Sequence, residues 1–216
     1  MADQPYLKAL RFDALTPLYD FVIRHTLPET EFKRHLVQQA DIHDGQRILD
    51  LGCGTATLTV LMKDLHPGAT IIGLDGDPKI LELAKKKALR TATDILLTRG
   101  MAYALPYADG SFDRVLSSLV LHHLSHEQKR RTLRELHRVI RPGGWLHVAD
   151  WGEARSVSQR IGARLEQLFD GYDNTSDNFL GRLPDMFAEA GFQDVQEVCQ
   201  YQTLVTGLSL FQASKV

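Results

Sequence analysis

Three groups of residues in this chain have the types and spacing to do chemistry. The first is the run Asp50-Leu51-Gly52-Cys53-Gly54-Thr55. Two glycines one residue apart permit a tight turn and let a ligand come close to the backbone, while a helix opening near Thr55 offers unpaired N–H groups to a negatively charged group. The second is Asp75, at the end of Ile71-Ile72-Gly73-Leu74 and followed by Gly76. A carboxylate closing the next strand, about twenty residues beyond such a loop, can accept both hydroxyls of a ribose. The third is His122-His123 together with Asp150. A neutral imidazole near pH 7 can take a proton from a hydroxyl or an amine, and so can a carboxylate. Either histidine could instead bond backbone and pack. The remaining histidines are scattered, and Cys53 and Cys199 lie far apart, so no built-in metal site is expected.

These residues need elements to hold them. Short apolar runs at 47–51, 70–74, 94–98, 114–119 and 145–149 read as strands, and 57–65, 78–89 and 127–140 carry apolar stripes at helical spacing. Strands alternating with helices predict a parallel sheet with right-handed crossovers, a doubly wound α/β fold. Asp77 before Pro78 reads as a helix N-cap with proline in the first turn. Two helices are expected over 12–41, broken at Pro28. After Asp150 the alternation stops: 153–183 reads as a helical insertion, one amphipathic stretch followed by a polar, turn-rich segment at 170–178. A last helix at 184–190 ends at Gly191, and alternating runs at 195–199 and 204–211 close the chain as strands. The whole of 1–216 is expected to be one domain: an N-terminal helical cap (1–41), a cofactor-binding core (46–150), the insertion (153–183), and a C-terminal helix and hairpin (184–216).

The glycine loop with its preceding carboxylate resembles the first motif of class I S-adenosylmethionine-dependent methyltransferases of the ubiquinone–menaquinone type. The resemblance continues through Asp75, through Thr98–Asp113, through Val115–Leu124 and through Pro142-Gly143-Gly144, in order and over nearly the whole chain. It implies a Rossmann-like, seven-stranded, mostly parallel sheet with the last strand antiparallel. It also implies that Asp50 helps hold the cofactor's ammonium group, that Gly52, Gly54 and Thr55 line its methionine part, and that Asp75 and Gly76 meet its ribose. Met101 and Ala102 fall in the adenine loop, Ser117 and Leu119 flank the cofactor, and Tyr19 matches a position that folds over it. His122, His123 and Asp150 match positions facing the reaction chamber and are the candidate bases. Two departures stand out: many relatives carry an acidic residue where Met101 stands, and glycine where Ala56 stands, the latter read as a small change. The Pro-Gly-Gly segment is expected to stop a helix and reverse the chain.

The balance of residues narrows the acceptor. A formal charge of −2 over 216 residues provides no footprint for nucleic acid, so a small-molecule acceptor is expected. Phe12, Phe21, Phe169, Tyr172 and Phe179 in the cap and insertion suit an apolar or lipid-like body, methylated at O, N or C. Two cysteines and no apolar stretch of spanning length point to a cytoplasmic protein without a transmembrane segment. The competing readings are a non-catalytic S-adenosylmethionine-binding scaffold and a nicotinamide-dependent dehydrogenase. The latter wants a third glycine where Thr57 stands.

Overall fold

The computed structural model describes residues 29–202 and 207–216, with nothing said of the side chains of 168–170. Tyr19, Phe12, Phe21 and most of the expected helical cap lie outside the described residues, as does the Phe169 side chain.

Seven strands form one sheet: β1 (Arg47–Leu51), β2 (Thr70–Asp75), β3 (Leu96–Arg99), β4 (Phe112–Ser118), β5 (Ile140–Trp151), β6 (Gln193–Gln202) and β7 (Gly207–Ser214). Their order is β3-β2-β1-β4-β5-β7-β6. The first five pair in parallel, and β7 runs antiparallel to both β5 and β6. The chain winds outward from β1 in both directions, so a crevice opens at the carboxyl ends of β1 and β4, where ligands of such sheets bind.

The central strands are buried on both faces, alternate residues pointing to opposite sides, while the edge strands β3 and β6 are partly exposed. Leu49, Leu51, Val115, Leu146 and Val148 enter one core with Leu133, Leu136 and Phe187, while Ile48, Leu116, Ala149 and Trp151 enter another with Phe32, Leu36, Leu58 and Met62. The covering helices are α1 (Glu29–Gln39), α2 (Thr57–Leu65), α3 (Pro78–Thr91), α4 (His126–Val139), α5 (Val157–Asp170), α6 (Tyr172–Phe179) and α7 (Leu183–Glu189). Local chemistry fixes their starts. Asp77 accepts from the Lys79 N–H ahead of Pro78, and Ser125 with Gln128, and Ser156 with Gln159, form reciprocal capping boxes.

Two local expectations are corrected. The polar segment after Asp170 is not a turn but helix α6, whose Thr175, Asp177 and Asn178 face inward and are buried; a pattern that equates polar with exposed misses this. The Pro-Gly-Gly segment does not stop the preceding helix, which ends at Val139 with Ile140 already extended. It lies inside β5 at a bulge, where Gly143 takes φ +78° and its N–H reaches the Lys215 carbonyl.

Candidate active site

The loop after β1 is shaped by two glycines with different tasks. Gly52 has φ +66°, and a Cβ there would stand 2.4 Å from Val120 Cγ2, so both its conformation and its neighbour demand glycine. Gly54 has φ +53°, yet a Cβ would meet nothing within 4 Å. Its glycine is therefore required by conformation and not by a neighbour. Asp75 ties the loop to the end of β2: its Oδ2 accepts from the Gly54 N–H at 3.0 Å and its Oδ1 from the Asp77 N–H at 2.9 Å. The next position corrects the sequence reading. Ala56 sits at φ +62°, ψ 32°, a left-handed conformation that costs an alanine roughly 1 kcal/mol, so its substitution for glycine is not a small change. The Thr55 and Thr57 hydroxyls face Lys87 Nζ at 3.3 and 2.6 Å.

Asp50 lies beneath this loop, 1% exposed, with Thr59 Oγ1 donating to its Oδ2 at 2.6 Å. Burial dominates its titration and pushes the carboxyl up to about 7, against the lowering effect of the Thr59 hydrogen bond. The charge of Lys33 also favours the ionised form, but burial outweighs it. In the loop after β3 the Gly100 N–H bonds the Asp75 carbonyl at 3.0 Å, and a Cβ on Gly76 would stand 3.0 Å from Met101 Sδ, so the thioether crowds that glycine. Ala102 is partly buried against the core. Ser117 is fully buried, and its hydroxyl donates to the Leu51 carbonyl at 3.3 Å, which joins the ends of β4 and β1. Leu119 adopts φ +58°, and its N–H bonds the Ala149 carbonyl at 2.8 Å. A leucine held in the left-handed region at a sheet's ligand-binding edge is strain of the kind found at functional sites.

The second half of the crevice is built around Asp150, the penultimate residue of β5. Its Oδ2 accepts from the Val120 and Leu121 N–H groups at 3.0 and 2.7 Å. Its Oδ1 faces His122 Nδ1 at 2.7 Å and accepts from the Trp151 N–H at 2.8 Å and Asn178 Nδ2 at 3.1 Å. Complete burial alone would raise this carboxyl, but the charge and hydrogen bond of His122 and the backbone donors outweigh it, leaving it below its ordinary range. His122 is buried, with its ring 3.9 Å from that of His123 and 5.8 Å from that of Trp151. His123 is exposed; desolvation, then the neighbouring His122, lowers its pKa.

The structure thus gathers Asp50, Gly52, Gly54, Asp75 and Ser117 at the carboxyl ends of β1, β2 and β4, and His122, His123 and Asp150 at those of β4 and β5. Asn178 is the residue the sequence reading missed; it lies in a polar run whose spacing carries no signal of burial. Among the described residues no group of three or more His, Cys, Asp or Glu could hold a metal, and no helix is long and apolar enough to cross a membrane.

Comparison with known proteins bears on the family and the fold. A family model described as a methyltransferase domain matches residues 48–144. The chain is 33% identical over 142 residues to the demethylmenaquinone methyltransferase of Thermus thermophilus, covering 65% of this chain and 64% of that protein, just under two thirds of its length. It is 31% identical over 209 residues to the ubiquinone/menaquinone biosynthesis C-methyltransferase of Blochmanniella floridana, covering 87% of this chain and 80% of that protein. Among solved structures, the YcgJ protein of Bacillus subtilis superposes with a TM-score of 0.74 at 17% identity, over 87% of this chain and 99% of that one, a likeness of fold.

Proposed function

The chain belongs to the class I S-adenosylmethionine-dependent methyltransferases, and from that premise we propose that it methylates a ring carbon of a small, apolar, quinol-type acceptor. The names of its relatives support the acceptor class. The observation that carries the reading is the Asp150–His122 pair at the crevice, with its carboxylate fully engaged.

In this reading Gly52, Gly54 and Thr55 line the methionine part of S-adenosylmethionine. Asp50 faces its ammonium group, Asp75 and Gly76 its ribose, and Met101 and Ala102 its adenine, with Ser117 and Leu119 flanking it. When bound, the cofactor supplies a methyl group on a sulfonium, an electrophile that needs only an aligned nucleophile and the exclusion of water.

The acceptor requires more of the chain. A phenolic hydroxyl makes its neighbouring ring carbon strongly nucleophilic once the proton leaves, and that carbon must later shed its own hydrogen to restore the aromatic ring. Both protons need a base. Asp150, with five donors on two oxygens, is better suited to orienting His122 than to taking a proton. With Nδ1 committed to Asp150, the base is His122 Nε2. His123 is exposed, and in this reading its part is to line the chamber beside His122.

The test is release of S-adenosylhomocysteine with reduced naphthoquinols and benzoquinols bearing a free ring position, followed by mass and proton spectra of the product. A carbon-methylated quinol with the wild type, greatly reduced in His122→Gln, is the expected outcome. Cofactor binding without turnover of any quinol would overturn the acceptor assignment.

A further inference from the structure

The His122–Asp150 pair is braced from outside the sheet. Helix α6 brings Asn178 against it: Nδ2 donates to Asp150 Oδ1 and to the Trp151 carbonyl, each at 3.1 Å. Asn178 is 1% exposed, and its Oδ1 meets no donor among the described residues. Burying an amide oxygen without a donor is unfavourable, and an apolar side chain of similar volume would avoid it. The residue is therefore kept for its N–H bonds, one of which ends on the oxygen that also faces His122.

The preceding residue anchors the helix. Buried Asp177 accepts from Lys129 Nζ at 3.4 Å, and Lys129, with no exposed surface, also donates to the Asn174 carbonyl. His126 Nδ1 lies 3.1 Å from both Asp177 oxygens, and Arg182 is 3.6 Å away. Lys129 and His126 belong to α4, which starts three residues after His123. A buried ion pair adds little net stability over an apolar pair of the same shape, but it fixes geometry, because breaking it strands a buried charge. Here it fixes α6 against the helix that leaves the candidate base.

We propose that Asn178 is a positioning residue that holds Asp150 and, through it, the ring of His122, and that the Lys129–Asp177 ion pair keeps α6 in place to do so. The proposal rests on the reading of His122 as the base. By fixing Asp150 Oδ1, Asn178 holds the proton of His122 on Nδ1 and leaves Nε2 as the basic nitrogen.

The test reads the tautomer directly and uses no acceptor. Histidine-ring nitrogen NMR at pH 8 is compared for the wild type, Asn178→Leu and Asp177→Asn, with His122 assigned from the His122→Gln spectrum and S-adenosylhomocysteine affinity measured alongside. The wild type is expected to show His122 as the Nδ1–H tautomer alone, and Asn178→Leu a mixture of tautomers, with cofactor affinity within about twofold of wild type. Asp177→Asn should give a smaller change in the same sense. Should Asn178→Leu fail to fold, Asn178→Ala is read by the same spectrum. A folded, cofactor-binding Asn178 variant with an unchanged His122 spectrum would overturn the proposal. Failure of the base assignment would appear elsewhere, as full turnover in His122→Gln.

Discussion

Asp50 and Asp150 stand at the carboxyl ends of β1 and β5, both essentially without exposed surface, and they are held in opposite ways. Asp50 has one side-chain donor, Thr59, and burial pushes it up to about 7. Asp150 has five donors, and its carboxyl stays below the ordinary range although burial pulls the other way. Equal burial therefore does not mean equal chemistry; the count of donors decides. In the proposed reading the half of the crevice around Asp50 takes the cofactor and its ammonium group, and the half around Asp150 takes the acceptor, finished from within and presenting an oriented imidazole.

The two carboxylates also differ in how they tie stability to pH. Asp50, raised, keeps its proton in the folded protein, so stability falls as pH rises from the unfolded value through about 7, and the penalty is complete above that. Asp150, lowered, contributes stability that is present above the unfolded value and is lost as pH falls through its folded value.

The largest expected effect breaks the finished half. Asp150→Asn sets an amide N–H among five donors and removes the charge that orients His122. Turnover of a quinol acceptor should fall by roughly a hundredfold to a thousandfold while S-adenosylhomocysteine affinity holds, measured by product release and calorimetry. A loss of cofactor affinity instead would mean the two halves are not separate. A smaller effect sharpens the comparison inside the cofactor half. Gly52→Ala must place a Cβ against Val120 at a positive φ and should cost about 2–4 kcal/mol in denaturant unfolding. Gly54→Ala, with open space around it, should cost only about 1–2 kcal/mol yet bind cofactor poorly. Equal stability losses would remove the distinction between a glycine that packs and one that makes room.

The gathering of Asp50, Gly52, Gly54 and Asp75 around one loop was legible in the sequence because their contacts follow from one strand-loop-strand unit. Asp50, the two glycines and Asp75 lie within 26 consecutive residues, and glycines one residue apart after a strand announce the turn that joins them. Alternation alone gave the parallel, doubly wound sheet; its seven strands with the last antiparallel came from the family resemblance. The acceptor half was legible only in part. His122 and Asp150 were visible as titratable residues at strand ends, but their division of labour depends on contacts across 28 residues and on the polar residues of α6, whose inward orientation no periodicity announces. The strain at Ala56 and the bulge at Gly143 were missed for a related reason: a backbone conformation imposed by neighbours leaves little trace in side-chain type.

The contrast between the two carboxylates is tested most directly by calorimetric binding of S-adenosylhomocysteine, which keeps the ammonium group, at pH 6 and pH 8 in the wild type and in Asp50→Asn. If Asp50 must lose its proton to receive that ammonium, wild-type affinity should be about tenfold weaker at pH 6 than at pH 8, and the variant should bind weakly and equally at both. Wild-type affinity that is the same at both pH values and unaffected by Asp50→Asn would contradict the account.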